Sequence, residues 1–373
     1  MKNIQSPFPV NGYSGPEFFC DRVNELGTLE NYLKGHIPVV IIGVRRLGKS
    51  GLIRHFFNTT EFTGVYVDLQ KSSSLNGLVN ALAEGIGRAF PENKYRKVWS
   101  TLKSFRPSVT FDQITGSPQF SFNIQKIEQV EQTLNGLLSL LNERQEPIVL
   151  ALDEFQEITN YPEQNVEGIL RAHMQQFSQL RYLFSGSSTN LLSSMFSEGG
   201  KPFYANTSKL YLQKIEKFIY QNFIQQQFQN SKKDIDSTLI NEILDWSEVH
   251  TYYTQFVCNQ VFLLSKKKVL RSDLEKVQWQ ILQNAKHDFF QLKGLLSPGQ
   301  LKLTYAVAKE EDLFNPTSNY IRQNYELGNS NGIMKNLDTL VNKQLINKFF
   351  TEEGEPYYKL SNVFIMRYVN GYL

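Results

Sequence analysis

The sequence predicts an α/β protein in which a mostly parallel sheet is sandwiched by helices, followed by an all-α segment and a C-terminal helix-turn-helix closed by a hairpin. Three observations lead there. Apolar runs rich in β-branched or aromatic residues recur at 38–42, 65–69, 148–152, 182–184 and 209–212, and such runs read as strands buried on both faces. Segments with apolar residues at helical spacing separate them, which supplies the crossovers a parallel sheet needs. After Leu212 the strand signals stop until about residue 345.

Taken in order, a Pro/Gly-containing arm runs into a short helix at 25–33 before the first strand, 38–42. A glycine-containing turn follows, and then Leu52, Ile53, Phe56 and Phe57 repeat at helical spacing. The second strand, 65–69, precedes a helix at 75–90. Residues 109–111 and 120–122 alternate around Thr115-Gly116-Ser117-Pro118, the pattern of a hairpin. A helix at 130–141 leads to the third strand, 148–152, and a helix at 168–177 to the fourth, 182–184. A short fifth strand, 209–212, closes the set. Amphipathic helices are predicted at 215–228, 239–246, 253–264 and 274–290. Three short helices at 301–308, 319–325 and 331–341 come next, with Ser330 as a cap for the last. Residues 345–350 and 357–360 flank the turn Glu352-Glu353-Gly354-Glu355, and three helices with a hairpin make a winged helix-turn-helix.

The whole-chain numbers bound the function. A chain of 373 residues has room for two or three domains. A formal net charge of +3 gives no reason by itself to expect a nucleic-acid binder. Cys20 and Cys258 are too far apart in sequence to suggest a disulfide framework or a metal-ligand pattern, and the five histidines show no metal spacing. The first thirteen residues hold one lysine and no apolar core of signal-peptide length. Apolar stretches stay well short of the roughly 20 residues that span a bilayer. A soluble, cytoplasmic protein with no membrane contact is expected.

The chemistry begins at Gly43-Val44-Arg45-Arg46-Leu47-Gly48-Lys49-Ser50, a complete G-x-x-x-x-G-K-[ST] Walker A match running into Gly51. Its glycines let the backbone wrap phosphate oxygens, and the following helix adds its positive end. Lys49 is expected to reach the β- and γ-phosphates, and Ser50 to bind Mg²⁺. The second motif is the strand 148–152 ending in Asp153-Glu154, which puts two carboxylates at the edge where open α/β sheets bind ligands. Asp153 is expected to hold Mg²⁺ through water, and Glu154 to orient and deprotonate the attacking water. The strand 65–69 lies between the two motifs, which fits the class in which a further strand separates loop and acid. Ser185 and Ser187, after the fourth strand, are candidates for sensing the γ-phosphate. Arg171 and Arg181 are candidates for a charge-stabilising arginine. Asn342-Lys343-Gln344-Leu345 lacks the aspartate that would read guanine, so ATP is expected over GTP.

These stretches resemble the archaeal-type ATPases, a family in the STAND clade of AAA+-like P-loop ATPases. Phe19-Cys20-Asp21-Arg22-Val23-Asn24-Glu25-Leu26 is similar to its F-x-x-R-x-x-E-L box, the loop to G-x-R-R-x-G-K-[ST], and Leu152-Asp153-Glu154-Phe155-Gln156 to its D-E-F-Q Walker B. Phe184-Ser185-Gly186-Ser187 is similar to its sensor strand, and 296–373 to its winged-helix tail. Two segments depart from the pattern. Phe203-Tyr204-Ala205-Asn206 stands where the family often has Gly-Arg, and Glu248-Val249-His250-Thr251 where it often has Gly-Gly-x-Pro. The resemblance implies a P-loop ATPase core (1–212), a helical lid (213–293) and a winged helix (294–373) that reports nucleotide state. It adds Arg22 to the nucleotide-binding residues and His250 as a polar contact in the lid.

The function expected is an Mg²⁺-dependent ATP-hydrolysing switch, with a protein partner or self-association through the lid or winged helix. The alternatives are an ATP-regulated DNA-binding protein and a nucleotide-bound scaffold with little hydrolysis. Residues 296–373 carry eight basic and eight acidic side chains, whereas a DNA reader shows a basic face, so DNA is not favoured.

Overall fold

The computed structural model describes residues 6–113, 116–124, 126–204 and 207–372. They fall into two compact units: Gly15–Gln213, and a second that joins the residues before Gly15 to those after Gln213.

In the first unit α1 (Val23–Lys34) leads into β1 (Val39–Ile42), α2 (Lys49–Thr59), β2 (Thr63–Asp68), α3 (Leu75–Ala89) and α4 (Arg96–Ser104). A hairpin, β3 (Ser108–Phe111) and β4 (Pro118–Ser121), follows, pairing Ser108 with Ser121; Thr115 of its expected turn lies outside the described residues. Then come α5 (Ile127–Asn142), β5 (Ile148–Asp153), α6 (Val166–Gln176), β6 (Arg181–Gly186), α7 (Thr189–Ser197) and β7 (Ser208–Tyr211). Five strands form one parallel sheet in the order β2-β5-β6-β1-β7.

Alternate residues of each strand feed two cores. Val40, Ile42, Leu150, Leu152 and Phe184 face Leu78, Leu82 and Leu134 of α3 and α5. Val39, Ile41, Val149, Ala151 and Leu183 face Leu29, Leu52 and Phe56 of α1 and α2. Burial on both faces is why these strands read as unbroken apolar runs. A strand does separate the loop-bearing β1 from the acid-bearing β5, but it is β6, and β2 forms an edge. Burial gives the reason: β6 is buried through 182–186, as an interior strand must be, while β2 keeps partly exposed positions.

The second unit contains α8 (Lys217–Asn230), α9 (Ser237–Trp246), α10 (Thr251–Leu264) and α11 (Arg271–Leu295). They continue into α12 (Pro298–Glu310), β8 (Leu313–Phe314), α13 (Asn319–Asn324), α14 (Ser330–Asn342), β9 (Ile346–Phe350), β10 (Pro356–Leu360) and α15 (Val363–Tyr372). The three short strands pair antiparallel in the order β8-β10-β9. Tyr253, Ala285 and Phe289 of α10 and α11 share a core with Leu303, Leu337, Tyr358 and Met366. The Tyr253 hydroxyl also donates to Ser361 O at 3.1 Å. The N-terminal arm belongs to this unit: Phe8 is fully buried against Phe228 and Phe262, and Asn259 Nδ2 donates to Phe8 O at 2.9 Å. The cap of α14 is Asn329, whose side chain accepts from Gly332 N at 2.8 Å; Ser330 is the first helical residue. Asn is as good a cap as Ser, and its position one residue earlier decides between them.

Candidate active site

The C-terminal ends of β1, β5 and β6 meet at one edge of the sheet, and the two sequence motifs meet with them. After β1 the chain turns through Arg46 (φ 64°) and Gly48 (φ 105°) into α2. Gly48 takes a backbone conformation that a side chain would strain. Lys49, the first residue of α2, is buried and folds back over the loop, donating from Nζ to Gly43 O (2.7 Å) and Val44 O (2.9 Å). Burial pulls its pKa down to about 8, against the opposing pull of Glu154 and Asp153. A lysine, a left-handed loop and the first amides of an 11-residue helix converge here, which is the chemistry of an anion cradle. Phe19 stacks on His55 of α2, with ring centroids 3.9 Å apart.

Asp153 closes β5 and is 3% exposed. Three hydroxyls serve its carboxylate. Ser50 Oγ and the Tyr66 hydroxyl each donate to Oδ2 at 2.5 Å, and Ser185 Oγ donates to Oδ1. The Ser50 contact joins the loop motif to the strand motif across 103 residues of sequence. Burial, with Asp153 beside it, pushes the Tyr66 phenol well above its ordinary range, so it stays a donor at physiological pH. Glu154 sits in the left-handed region (φ 53°), and its Oε2 accepts from Ser187 N (3.1 Å), Ser187 Oγ (2.9 Å) and Gln156 Nε2 (2.6 Å). Phe155, fully buried, packs on Phe184 at 4.6 Å and on Phe196 and Phe203. That packing anchors the turn whose two carboxylates face the loop.

Arg22 caps α1 in a left-handed conformation (φ 74°) and is 5% exposed. Its Nη1 donates to Glu25 Oε1 at 2.7 Å, while Nη2 has no hydrogen-bond partner among the described residues. The structure therefore brings Lys49, Ser50, Asp153, Glu154, Ser185 and Ser187 together. The remaining candidates stand elsewhere. Arg181 opens β6 at the end of the strand opposite Ser185, donates to Leu33 O and stacks on Phe62. Arg171 donates to Pro202 O. These contacts do not bring either arginine to the site residues, in keeping with the surface reading that the sequence favours for both. His250 is in the second unit, at the start of α10 against Tyr253. Phe203 is a core residue, and Ala205 and Asn206 lie outside the described residues. Among the described residues no cluster of three or more His, Cys, Asp or Glu side chains could hold a metal ion. Sequence reasoning missed Tyr66 and the contact made by Gln156; the Gln of the D-E-F-Q stretch was the visible signal for the second.

A buried strand, a lysine-closed loop at a helix start and paired acids at the end of β5 define a nucleotide-binding P-loop fold. A family described as an ATPase domain predominantly from Archaea matches residues 19–256, and the chain belongs to that family. No curated protein sequence matches the chain. Among solved structures, a Walker-type ATPase of Pyrococcus abyssi superposes with a TM-score of 0.70 at 17% identity, over 97% of this chain and 99% of that one. The ORC2 protein of Aeropyrum pernix, solved in ADPNP–ADP complexes, gives 0.59 at 14% identity, over 98% and 96%. The ORC1 protein of the same organism, solved with DNA, gives 0.50 at 10% identity, over 95% and 93%. At these identities the likeness is one of fold. Among the described residues no helix is long and apolar enough to cross a membrane.

Proposed function

We propose that the protein is an ATP-hydrolysing molecular switch whose second unit responds to nucleotide state. The observation that carries this is the Ser50–Asp153 contact, which unites a complete Walker A loop with the paired acids of β5. In this reading the amides of Gly43, Val44, Arg45, Arg46, Leu47, Gly48, Lys49, Ser50 and Gly51 cradle the phosphates. Lys49 exchanges its bonds to Gly43 O and Val44 O for β- and γ-phosphate oxygens. Arg22 is assigned to the nucleotide because its guanidinium is buried with Nη2 unsatisfied. Glu154 acts as general base on the attacking water.

The donor set fits Mg²⁺. Ser50 and Asp153 offer hard oxygen ligands in contact with each other, and Mg²⁺ characteristically takes one or two protein oxygens, phosphates and waters. When bound, it would neutralise phosphate charge as the γ-phosphoryl leaves. Ser185 and Ser187 touch Asp153 and Glu154, so a change at the γ-phosphate would reach the strand end through them.

We read residues 213–293 as a helical lid, with His250 as its polar contact, and 294–373 as a winged helix. Their shared core around Tyr253, Phe289 and Tyr358 supports movement as one body. ATP and ADP are the ligands, and a protein partner or second copy would dock on the lid or winged helix of this cytoplasmic protein. The test is Glu154→Gln, nearly isosteric but unable to accept the proton. It is expected to bind MgATP normally and to lose hydrolysis by roughly 10²–10⁴-fold. Turnover at the wild-type rate would remove Glu154 from the mechanism.

A further inference from the structure

Gln156 is a buried amide whose two ends fare differently. It is 3% exposed. Its Nε2 donates to Glu154 Oε2 at 2.6 Å, while its Oε1 has no hydrogen-bond partner among the described residues. A carboxylate only accepts, so the amide must turn its nitrogen to Glu154, and its oxygen is left without a donor. Buried amides that serve packing alone normally have both ends satisfied. The space for that oxygen exists because residue 186 is glycine: a Cβ there would sit 1.9 Å from Gln156 Oε1. Ser187, the next residue, supplies the other two donors to Glu154 Oε2.

We propose that Gln156 is a positioning residue for Glu154, and that Gly186 is glycine because the amide must be seated there. The proposal rests on the reading of Glu154 as the general base. Three donors pin Oε2 and so fix the plane of the carboxylate, leaving Oε1 as the oxygen that takes the water. Phe155, buried on the far side of the same turn, holds the turn while the amide sets the angle. The Gly186–Ser187 end of β6 thus makes two contributions: an absent side chain that admits Gln156 and a present one that completes the clamp.

The experiment is single-turnover MgATP hydrolysis for the wild type, Gln156→Ala, Gly186→Ala, their double mutant and Glu154→Gln, with MgATP affinity measured for each. Gln156→Ala and Gly186→Ala should each slow hydrolysis by roughly tenfold or more, the scale seen when a partner that orients a functional ligand is lost. Affinity should hold within about twofold, since uniform binding is untouched. The double mutant should lie within about twofold of Gln156→Ala, because with the amide gone the new methyl meets only the end of the Leu192 side chain, at 2.9 Å. If Glu154→Gln hydrolyses normally, the reading of Glu154 fails and this proposal falls with it. If Glu154→Gln is dead but Gln156→Ala keeps the wild-type rate, the proposal alone is overturned. Effects that multiply in the double mutant, or a loss of affinity that matches the loss of rate, would overturn it as well, since they mark a purely structural role.

Discussion

Left-handed backbone at residues other than glycine occurs in both units of the molecule, and it serves different ends. In the sheet unit Asp21, Arg22, Arg46 and Glu154 lie inside the sequence motifs of the candidate site, and His36, Arg106 and Asn165 lie outside them. In the helical unit it includes an adjacent pair, Glu248 and Val249, both at φ 54°. There the strained turn ties parts of the unit together. Glu248 Oε2 lies 3.4 Å from both Lys214 Nζ and Lys359 Nζ, and Lys359 continues to Asp312 Oδ1 at 2.8 Å. Burial pushes the Glu248 carboxyl up, but Lys359, Lys214 and Arg367 outweigh it and hold the group below its usual range. The bridges run from the turn after α9 to β10, so they fasten the helical segment to the C-terminal one. Strain of about 1–3 kcal/mol per residue persists only where something offsets it. At Glu154 the offset is aimed chemistry; at Glu248 it is an ion-pair network.

The largest expected effect breaks the first half of that comparison. Lys49→Ala should weaken ATP binding by about 3 kcal/mol or more, on the order of a hundredfold, because two charge-assisted contacts to phosphate are lost. Titration calorimetry on the folded variant measures it, and unchanged affinity would sink the loop assignment. A subtler handle on the same lysine is pH. With its pKa near 8 in the free protein, Lys49 is already charged at pH 7 and binds phosphate without taking up a proton. Above pH 8 it must gain one to bind. ATP affinity should therefore fall as pH rises through about 8, by at most roughly tenfold per pH unit. Calorimetry in buffers of different ionisation enthalpy should show proton uptake that appears over that window. Affinity flat from pH 7 to 9.5 without proton uptake would show that the lysine is not held as its burial implies.

How much of this was legible in the sequence differs between the units for the same reason. Walker A and the Asp153–Glu154 pair were readable because phosphate chemistry demands fixed residue types at fixed spacing. The buried strands were readable because burial on both faces leaves no polar positions. The partners of the carboxylates were harder. Tyr66 lies on an edge strand 87 residues from Asp153, and only the parallel register that sets Tyr66 beside Ala151 brings its hydroxyl within reach. The place of β6 between β1 and β5 is likewise a property of pairing, not of composition. In the helical unit, amphipathic spacing gave the helices; no glycine of this chain stands at the left-handed turn Glu248-Val249, and its one signal is the Gly-Gly that the resembling family often has there. Phe8 gave no signal that the arm packs with helices more than two hundred residues away.

The second half of the comparison can be sharpened by removing strain. Val249 is β-branched and pays a backbone penalty that glycine would not. Val249→Gly should stabilise the second unit by about 1 kcal/mol once glycine's greater unfolded-state freedom is subtracted. Glu248→Gly relieves similar strain but gives up the contacts to Lys214 and Lys359, so its net effect should lie near zero. Glu154→Gly in the other unit should hold or raise stability while abolishing hydrolysis. Urea denaturation followed with a probe in each unit compares all three. A Val249→Gly variant less stable than wild type would mean that its side-chain packing outweighs the strain.

The smallest expected effect is a null one, at the C-terminal end of the helical unit. Phosphate contacts supply most non-specific affinity for DNA. Residues 296–373 balance eight acids against eight bases, and the exposed turn between β9 and β10 carries Glu352, Glu353 and Glu355. The helix that would enter a groove, α14, offers Lys335 in its body and Lys343 just past its end, both exposed. Two lysines beside an acidic turn make a poor match for a polyanion, whereas a neutral surface can dock on protein, where apolar area weighs more. We predict that duplex DNA binds more weakly than micromolar at physiological salt, and that Lys335→Ala with Lys343→Ala changes that affinity by less than about twofold. Fluorescence anisotropy across a salt series measures both numbers. Submicromolar binding that the double alanine variant loses, with a salt slope that falls by about two, would assign this segment to DNA and reverse the contrast drawn between the two units.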